Sequence, residues 1–304
     1  MTSAAQGSAV RAILYAFLAN GGIAIAKTWA AWLTGSGSML AEAIHSYADT
    51  ANQVLLFLGL KQSGKRPDEE HPLGYGKLTY FWSFIVAMLL FSVGGLFSIY
   101  EGLHKFQHPE PLNQVWVAFL ILGIAIVLET LSLLGCLREI RKVRGERPFR
   151  EWFRHTRNSE LVVVLGEDIA ALLGLCFALL FIGLAVATGN PVFDAIGSGC
   201  IGVVLVVVSI FLTIRMQSLL VGRSADPMVE QEIDRIIGSH GDIERVFNTI
   251  TMQMGPYTLL AAKVEMKAGI GIESAIRAIN DLEVRLKQRF PELKWCFMEP
   301  DVSD

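Results

Sequence analysis

Glu160-Leu-Val-Val-Val-Leu-Gly-Glu-Asp-Ile-Ala-Ala-Leu-Leu-Gly-Leu-Cys-Phe-Ala-Leu-Leu-Phe-Ile-Gly-Leu-Ala-Val-Ala187 decides the fold. About 20 apolar residues at 1.5 Å each cross roughly 30 Å of hydrocarbon, so this run is long enough to span a membrane as a helix. It also carries Glu167 and Asp168 side by side. An ionisable residue there costs on the order of 2.5–3.5 kcal/mol on insertion scales and needs a partner, an aqueous path or a function.

Working outward, five further runs of the same kind lie near 10–33, 39–62, 78–102, 114–137 and 192–217. Turn residues separate them: Gly35-Ser-Gly37, His108-Pro-Glu-Pro111 and Gly189-Asn-Pro191. The chain has 304 residues, 52% hydrophobic and 18% charged, with mean hydropathy +0.45, so its apolar surplus has to face lipid. A formal net charge of −3 excludes a strongly basic nucleic-acid binder, and the four cysteines form no Cys-x-x-Cys pair that would mark a zinc finger. The opening Met-Thr-Ser-Ala-Ala-Gln-Gly-Ser lacks a charged signal-peptide region, so the run after Arg11 is expected to be a retained first span. The same opening shows no transit peptide, from which a bacterial inner membrane is expected.

Orientation follows from the loops. Lys61, Lys65, Arg66 and Lys77 follow the second span, and Arg138, Arg141, Lys142, Arg144, Arg147, Arg150, Arg154 and Arg157 follow the fourth. The alternate loops offer only Lys105, so both termini are expected in the cytoplasm. After Arg223 charges become frequent. The pattern there reads helix 228–239, strand 243–254, strand 257–267, helix 272–289 and strand 293–299, with Pro227 starting the first helix and Gly255-Pro256 turning the hairpin. The expected fold class is therefore a six-helix membrane domain over 1–220, followed by a cytoplasmic α+β domain (αββαβ, ferredoxin-like) over 221–304.

The second span holds the densest polar set: Glu42, His45, Asp49, Asn52 and Gln53. His45 and Asp49 are four apart and share a helical face, the spacing of two ligands to one metal ion. Measured from opposite ends of antiparallel helices, Asp49 lies roughly 16 Å from the outside and Asp168 roughly 12 Å from the inside, at nearly one depth. One imidazole with carboxylates suits zinc, admits manganese, iron and cobalt, and disfavours copper(I). The bland reading is that these groups only bond helix to helix, with Asp168 paired to a cation such as Lys27. Lys27 itself is expected to snorkel outward along its own helix. Glu129 in the fourth span fits either helix packing or an inner vestibule. Asp194 is expected to cap the sixth span.

A second constellation, Arg66-Pro-Asp-Glu-Glu-His-Pro-Leu-Gly-Tyr-Gly76, places Asp68 and His71 in the loop after the second span. These two could ligate a metal weakly, with Tyr75 a poor third ligand, or the segment is a turn whose polar groups bond to backbone. No His-Glu-x-x-His motif is present, which speaks against an intramembrane metalloprotease.

Ser38-Met-Leu-Ala-Glu-Ala-Ile-His-Ser-Tyr-Ala-Asp49, the loop Pro67-Asp-Glu-Glu-His-Pro-Leu-Gly-Tyr-Gly76 and the terminal Cys296-Phe-Met-Glu-Pro-Asp301 together resemble the cation diffusion facilitator family from end to end. Leu165-Gly-Glu-Asp-Ile-Ala-Ala-Leu-Leu-Gly174 and Gly189-Asn-Pro-Val-Phe-Asp-Ala-Ile-Gly-Ser198 look most like its branch containing the ninth zinc transporter of the animal series. The resemblance implies a non-enzymatic, proton-coupled exporter of divalent cations, zinc first, with no resident cofactor. It also implies a homodimer joined through the tail. It maps a transport site onto His45 and Asp49 of the second span and Asp168 of the fifth. Where the family commonly has His or Asp four residues earlier, Val164 stands here, so Glu167 is a secondary candidate ligand. The family's loop site maps to Asp68 and His71, with Tyr75 in place of a good third ligand. Members of the family bind zinc between paired tails through several histidines, whereas this tail has only His240, and Cys296, Glu299 and Asp301 read as strand and terminus, so the tails are expected to pair without a metal bridge. A sensor or scaffold that binds metal without moving it is the competing reading.

Overall fold

The computed structural model describes residues 20–109 and 111–303. Of the expected first span, residues 10–19 lie outside the described residues. The chain divides into two compact units, the first comprising Met1–Lys61, Phe81–Glu146 and Ser159–Met216. The second joins Gln217–Asp304 to two stretches from between the spans, Gln62–Tyr80 and Arg147–Asn158.

The first unit is helical. Helix α1 is described over 20–34 and ends at Gly35, whose φ of +68° suits a residue without Cβ. Then come α2 (Gly37–Ser63), α3 (Leu78–Leu89), a π-helical turn (Leu90–Leu96), α4 (Phe97–Gln107), α5 (Val115–Arg144), α7 (Ser159–Thr188) and α8 (Val192–Gly222), with α6 (Phe149–His155) belonging to the second unit. Among the described residues four helical stretches are long and apolar enough to cross a membrane: Leu78–Gln107, Val115–Arg144, Ser159–Thr188 and the one beginning at Val192. Six spans were expected. Helix α2 is long enough, with 27 residues, but its polar stripe lowers its hydropathy, and α1 is described only in part. Along α5, Trp116, Leu120, Ile124, Val127, Leu131 and Leu134 are exposed, the surface expected of a helix facing lipid.

Glycines let the π-helical turn, α4 and α8 approach at backbone distance. A Cβ on Gly102 would stand 2.7 Å from the Gly199 nitrogen, and one on Gly202 would stand 2.7 Å from the Gly95 carbonyl. Small residues at such crossings are how helices pack where lipid removes the hydrophobic drive between them. The π turn and α6 have no counterpart in the sequence reading.

Asp194 corrects an expectation. It does not cap α8, whose Val192 N–H is instead received by the Asn190 side chain at 3.1 Å. The Asp194 carboxylate reaches the N-terminus of α2, accepting from the Ser36 hydroxyl at 2.6 Å, Gly37 N–H at 2.6 Å and Ser38 N–H at 3.3 Å. The N–H groups of the first turn, which have no partner within the helix, and the positive dipole end of α2 make that the stronger site for a buried carboxylate.

In the second unit the order is α9 (Pro227–Gly238), β1 (Ile243–Met254), β2 (Tyr257–Met266), α10 (Ile272–Arg289) and β3 (Leu293–Pro300), each within two residues of expectation. The sheet order is β1-β2-β3, with β1 and β2 antiparallel and β2 and β3 parallel. Ile233 and Ile237 of α9, Leu260 and Val264 of β2, and Leu282 and Leu286 of α10 share one core, so both helices cover the same sheet face. Pro227 opens α9 and Asp226 caps it, accepting from Met228 N–H at 3.0 Å. Within this unit Arg147 grips Asp226 through two bonds of 2.8 and 2.9 Å, and Arg157 donates to the Ser224 and Ala225 carbonyls. Burial alone would raise the Asp226 carboxyl, but the Arg147 guanidinium and the Met228 N–H hold it below its ordinary value.

Candidate metal centre

Helix α2 presents Glu42, His45, Asp49 and Asn52 at intervals of three and four residues, which keeps them on one face. His45 is fully buried, and its Nε2 stands 3.5 Å from Asp49 Oδ2. Neither ring nitrogen of His45 has a hydrogen-bond partner among the described residues, and the same holds for Asp49 Oδ1 and Gln53 Oε1. Buried polar atoms are rarely left unmatched, because each forfeits its bonds to water without replacement. His45, Asp49 and Gln53, spaced four residues apart, put these atoms on one helix face.

Helix α7 brings Glu167 and Asp168, both buried. Adjacent residues diverge by roughly 100° around a helix, and here they address different neighbours. Glu167 Oε1 accepts from Asn52 Nδ2 at 2.6 Å, across to α2. Asp168 Oδ1 accepts from the Ser132 hydroxyl of α5 at 3.1 Å, while Oδ2 has no partner among the described residues. Glu167 is thus the α7 carboxylate hydrogen-bonded to α2. Among the described residues no three His, Cys, Asp or Glu side chains are gathered closely enough to hold one metal ion.

Lys27 departs from expectation. It does not snorkel: it is fully buried, and its Nζ lies 2.9 Å from Glu42 Oε2 and 2.8 Å from Ser46 Oγ. A carboxylate within reach outcompetes the distant interface for the ammonium. Each residue is visible in the sequence as an ionisable group inside an apolar run, but the pairing is not.

In the loop, Asp68 Oδ1 accepts from His71 N–H at 2.8 Å and Oδ2 from the Tyr75 hydroxyl at 2.7 Å. The His71 ring packs on Tyr75 with centroids 4.3 Å apart, and His71 Nδ1 stands 3.6 Å from Asp68. The Tyr75 hydroxyl bond, with the His71 N–H, holds the Asp68 carboxyl below its ordinary value. Asp68 and His71 are therefore brought together, but as an exposed turn whose carboxylate already has donors on both oxygens. In the tail, His240 Nε2 lies 3.2 Å from Asp281, Asp301 pairs with Lys263 at 2.8 Å, and burial pushes the Cys296 thiol up to about 11.

Long apolar helices enclosing buried ionisable side chains, joined to an αββαβ unit, define an integral multi-pass membrane protein. A family model for the cation efflux transmembrane domain matches residues 13–221. The chain belongs to this family, the cation diffusion facilitators, whose members are transporters. It is 36% identical over 256 residues to the proton-coupled zinc antiporter SLC30A9, mitochondrial, of Xenopus laevis, covering 83% of this chain and 45% of that one. It is 31% identical over 227 residues to metal tolerance protein C4 of Arabidopsis thaliana, covering 74% and 50%. With the cation-efflux pump FieF of Klebsiella pneumoniae the identity is 25% over 281 residues, covering 92% and 89%. The chain spans about half the length of the first two of these relatives. Within the family it resembles the SLC30A9 branch.

Proposed function

We propose that this protein is a proton-coupled divalent cation exporter whose cargo is zinc, carried at His45, Asp49 and Asp168, with Glu167 as a neighbouring participant. The observation that carries the reading is the set of buried, unpartnered ligand atoms on α2 and α7: both nitrogens of His45, Asp49 Oδ1 and Asp168 Oδ2. Imidazole and carboxylate bind metal only when deprotonated, so proton and metal occupancy exclude one another at such a site. Metal arriving from the cytoplasm displaces protons, and protons from the far side displace the metal. Relative motion of α2 and α7, now linked through Asn52 and Glu167, is the step that gathers the ligands and changes the side to which they open. The same reading includes six spans, cytoplasmic termini set by the basic-residue bias, and a ferredoxin-like tail that pairs with a second copy. The exposed Ile250 and Phe297 on the uncovered sheet face support that pairing.

Zinc flux into proteoliposomes under an imposed pH gradient tests it, comparing the parent with Asp49→Ala and Asp168→Ala and repeating with manganese, iron(II) and cobalt. Gradient-driven zinc flux lost in both variants is expected. Flux that survives both substitutions removes the site from the path. Zinc binding without flux of any ion makes the protein a sensor.

A further inference from the structure

The polar stripe of α2 does not stop at His45. Three residues nearer the helix N-terminus stands Glu42, fully buried, with one oxygen on Lys27 and Ser46 beside it. Its other oxygen, Oε1, has no partner among the described residues and lies against Gly174 of α7, where any Cβ would collide with it. Three residues along a helix amount to a rise of about 4.5 Å, so this carboxylate is one turn from the proposed transport site. It has the attributes of a metal ligand: a free oxygen, full burial and a glycine opposite that leaves it room. What sets it apart from Asp49 is the ammonium at 2.9 Å. A buried ion pair returns little net stability once its desolvation is charged against it, so stabilisation alone is a poor account of this one.

We propose that Lys27 is a tethered cation of the transport path, which neutralises Glu42 and keeps it from becoming an extra ligand for the ion at His45 and Asp49. The inference rests on the transport reading above. An ion bound by His45 and two aspartates is close to charge balance. A third bare carboxylate one turn away would hold it more tightly and slow its release, because charges inside a poorly solvated bundle interact strongly. With Lys27 in place, the cargo leaving towards the N-terminal end of α2 meets a neutral pair.

The test uses full-length protein in detergent for zinc titration calorimetry and in proteoliposomes for flux, on Lys27→Met, Glu42→Gln and the double variant. Lys27→Met is expected to lower the zinc Kd by about tenfold or more and to reduce maximal flux, since it bares the carboxylate. Glu42→Gln bares the ammonium instead and is expected to raise the Kd several-fold. The double variant removes both charges and is expected to return the Kd to within about twofold of the parent. Opposite shifts with mutual rescue are not produced by loss of packing. Both single variants shifting the Kd the same way, or neither shifting it, overturns the inference. Where Lys27→Met does not fold, Glu42→Gln and the double variant decide: a Kd raised in the first and restored in the second upholds the proposal, and any other pattern overturns it. His45→Ala separates the two readings. Zinc binding indifferent to His45→Ala overturns the transport site and this inference with it, whereas binding that needs His45 but ignores the Lys27 and Glu42 charges overturns this inference alone.

Discussion

The Asp194 carboxylate on α8 accepts the Ser36 hydroxyl at 2.6 Å, and the same carboxylate receives the first N–H groups of α2. One side chain therefore binds the helix that carries the proposed ligands to another that carries none of them. Asp194 is buried, and each of its bonds is charge-assisted. Asp194→Ala leaves a hydroxyl and two N–H groups without their acceptor and is expected to destabilise the protein by about 2–3 kcal/mol. Asp194→Asn keeps the shape and one acceptor and is expected to lose less. Thermal unfolding of purified protein in detergent, read as a lowered midpoint in the order parent, Asn, Ala, checks this.

The second unit has a comparable fastening at Arg147 and Asp226. Because the folded-state carboxyl is held below its ordinary value, its contribution is fully present above about pH 4 and is lost as pH falls through the lower folded value. Acidification below pH 4 is therefore expected to loosen the start of α9 and the β1 strand beside it. Hydrogen exchange measured by mass spectrometry on the full chain should show faster exchange in peptides over 226–238 as pH is lowered, after correction for intrinsic rates. Asp226→Asn should show that faster exchange already at neutral pH, with less further change on acidification.

The tail was legible because its physics is local. Leu260, Ala262, Val264 and Met266 alternate with Leu259, Ala261, Lys263 and Glu265, and Pro227 and Gly255-Pro256 punctuate the elements, so period and turn chemistry agree. The polar stripe of α2 was legible for a related reason: ionisable residues in an apolar run stand out against their surroundings. What could not be read was partnership. Nothing local to Asp194 says that its acceptor strength is spent 157 residues away on Gly37, nor does Lys27 announce Glu42. The direction in which each member of the Glu167-Asp168 pair points depends on how α7 is rotated between α2 and α5. The periodicity of an almost uniformly apolar helix does not encode that rotation.

The loop of Asp68 and His71 makes a separate point about ligand geometry. Its carboxylate is satisfied by the Tyr75 hydroxyl and the His71 N–H, so it has little to offer a metal ion. Tyr75→His would remove one donor and supply a second imidazole at a position already in ring contact with His71. That variant is expected to add one zinc equivalent to the binding stoichiometry, with two histidines and an aspartate as ligands. Titration calorimetry should show the added equivalent in Tyr75→His and its loss in the double variant with His71→Ala. Tyr75→Phe, which removes the hydroxyl without adding a ligand, should leave the stoichiometry of the parent.

Val164 bears on how tightly the cargo is held. It lies four residues before Asp168 on α7 and therefore on the same face, half-buried, with no donor atom to offer. With three protein ligands the proposed site leaves a coordination position to water, and metal sites completed by a fourth protein ligand bind more firmly. Val164→His is accordingly expected to lower the zinc Kd by about tenfold or more while reducing maximal flux, because the ion that binds better leaves more slowly. Calorimetry in detergent and flux under a pH gradient measure the two effects on the same preparation. The pairing of tighter binding with slower flux is the signature that distinguishes an added ligand from damage to the helix, which would weaken both. Val164→Leu, similar in shape and equally without a donor, should leave Kd and flux near those of the parent, and a comparable effect from leucine would remove coordination as the cause.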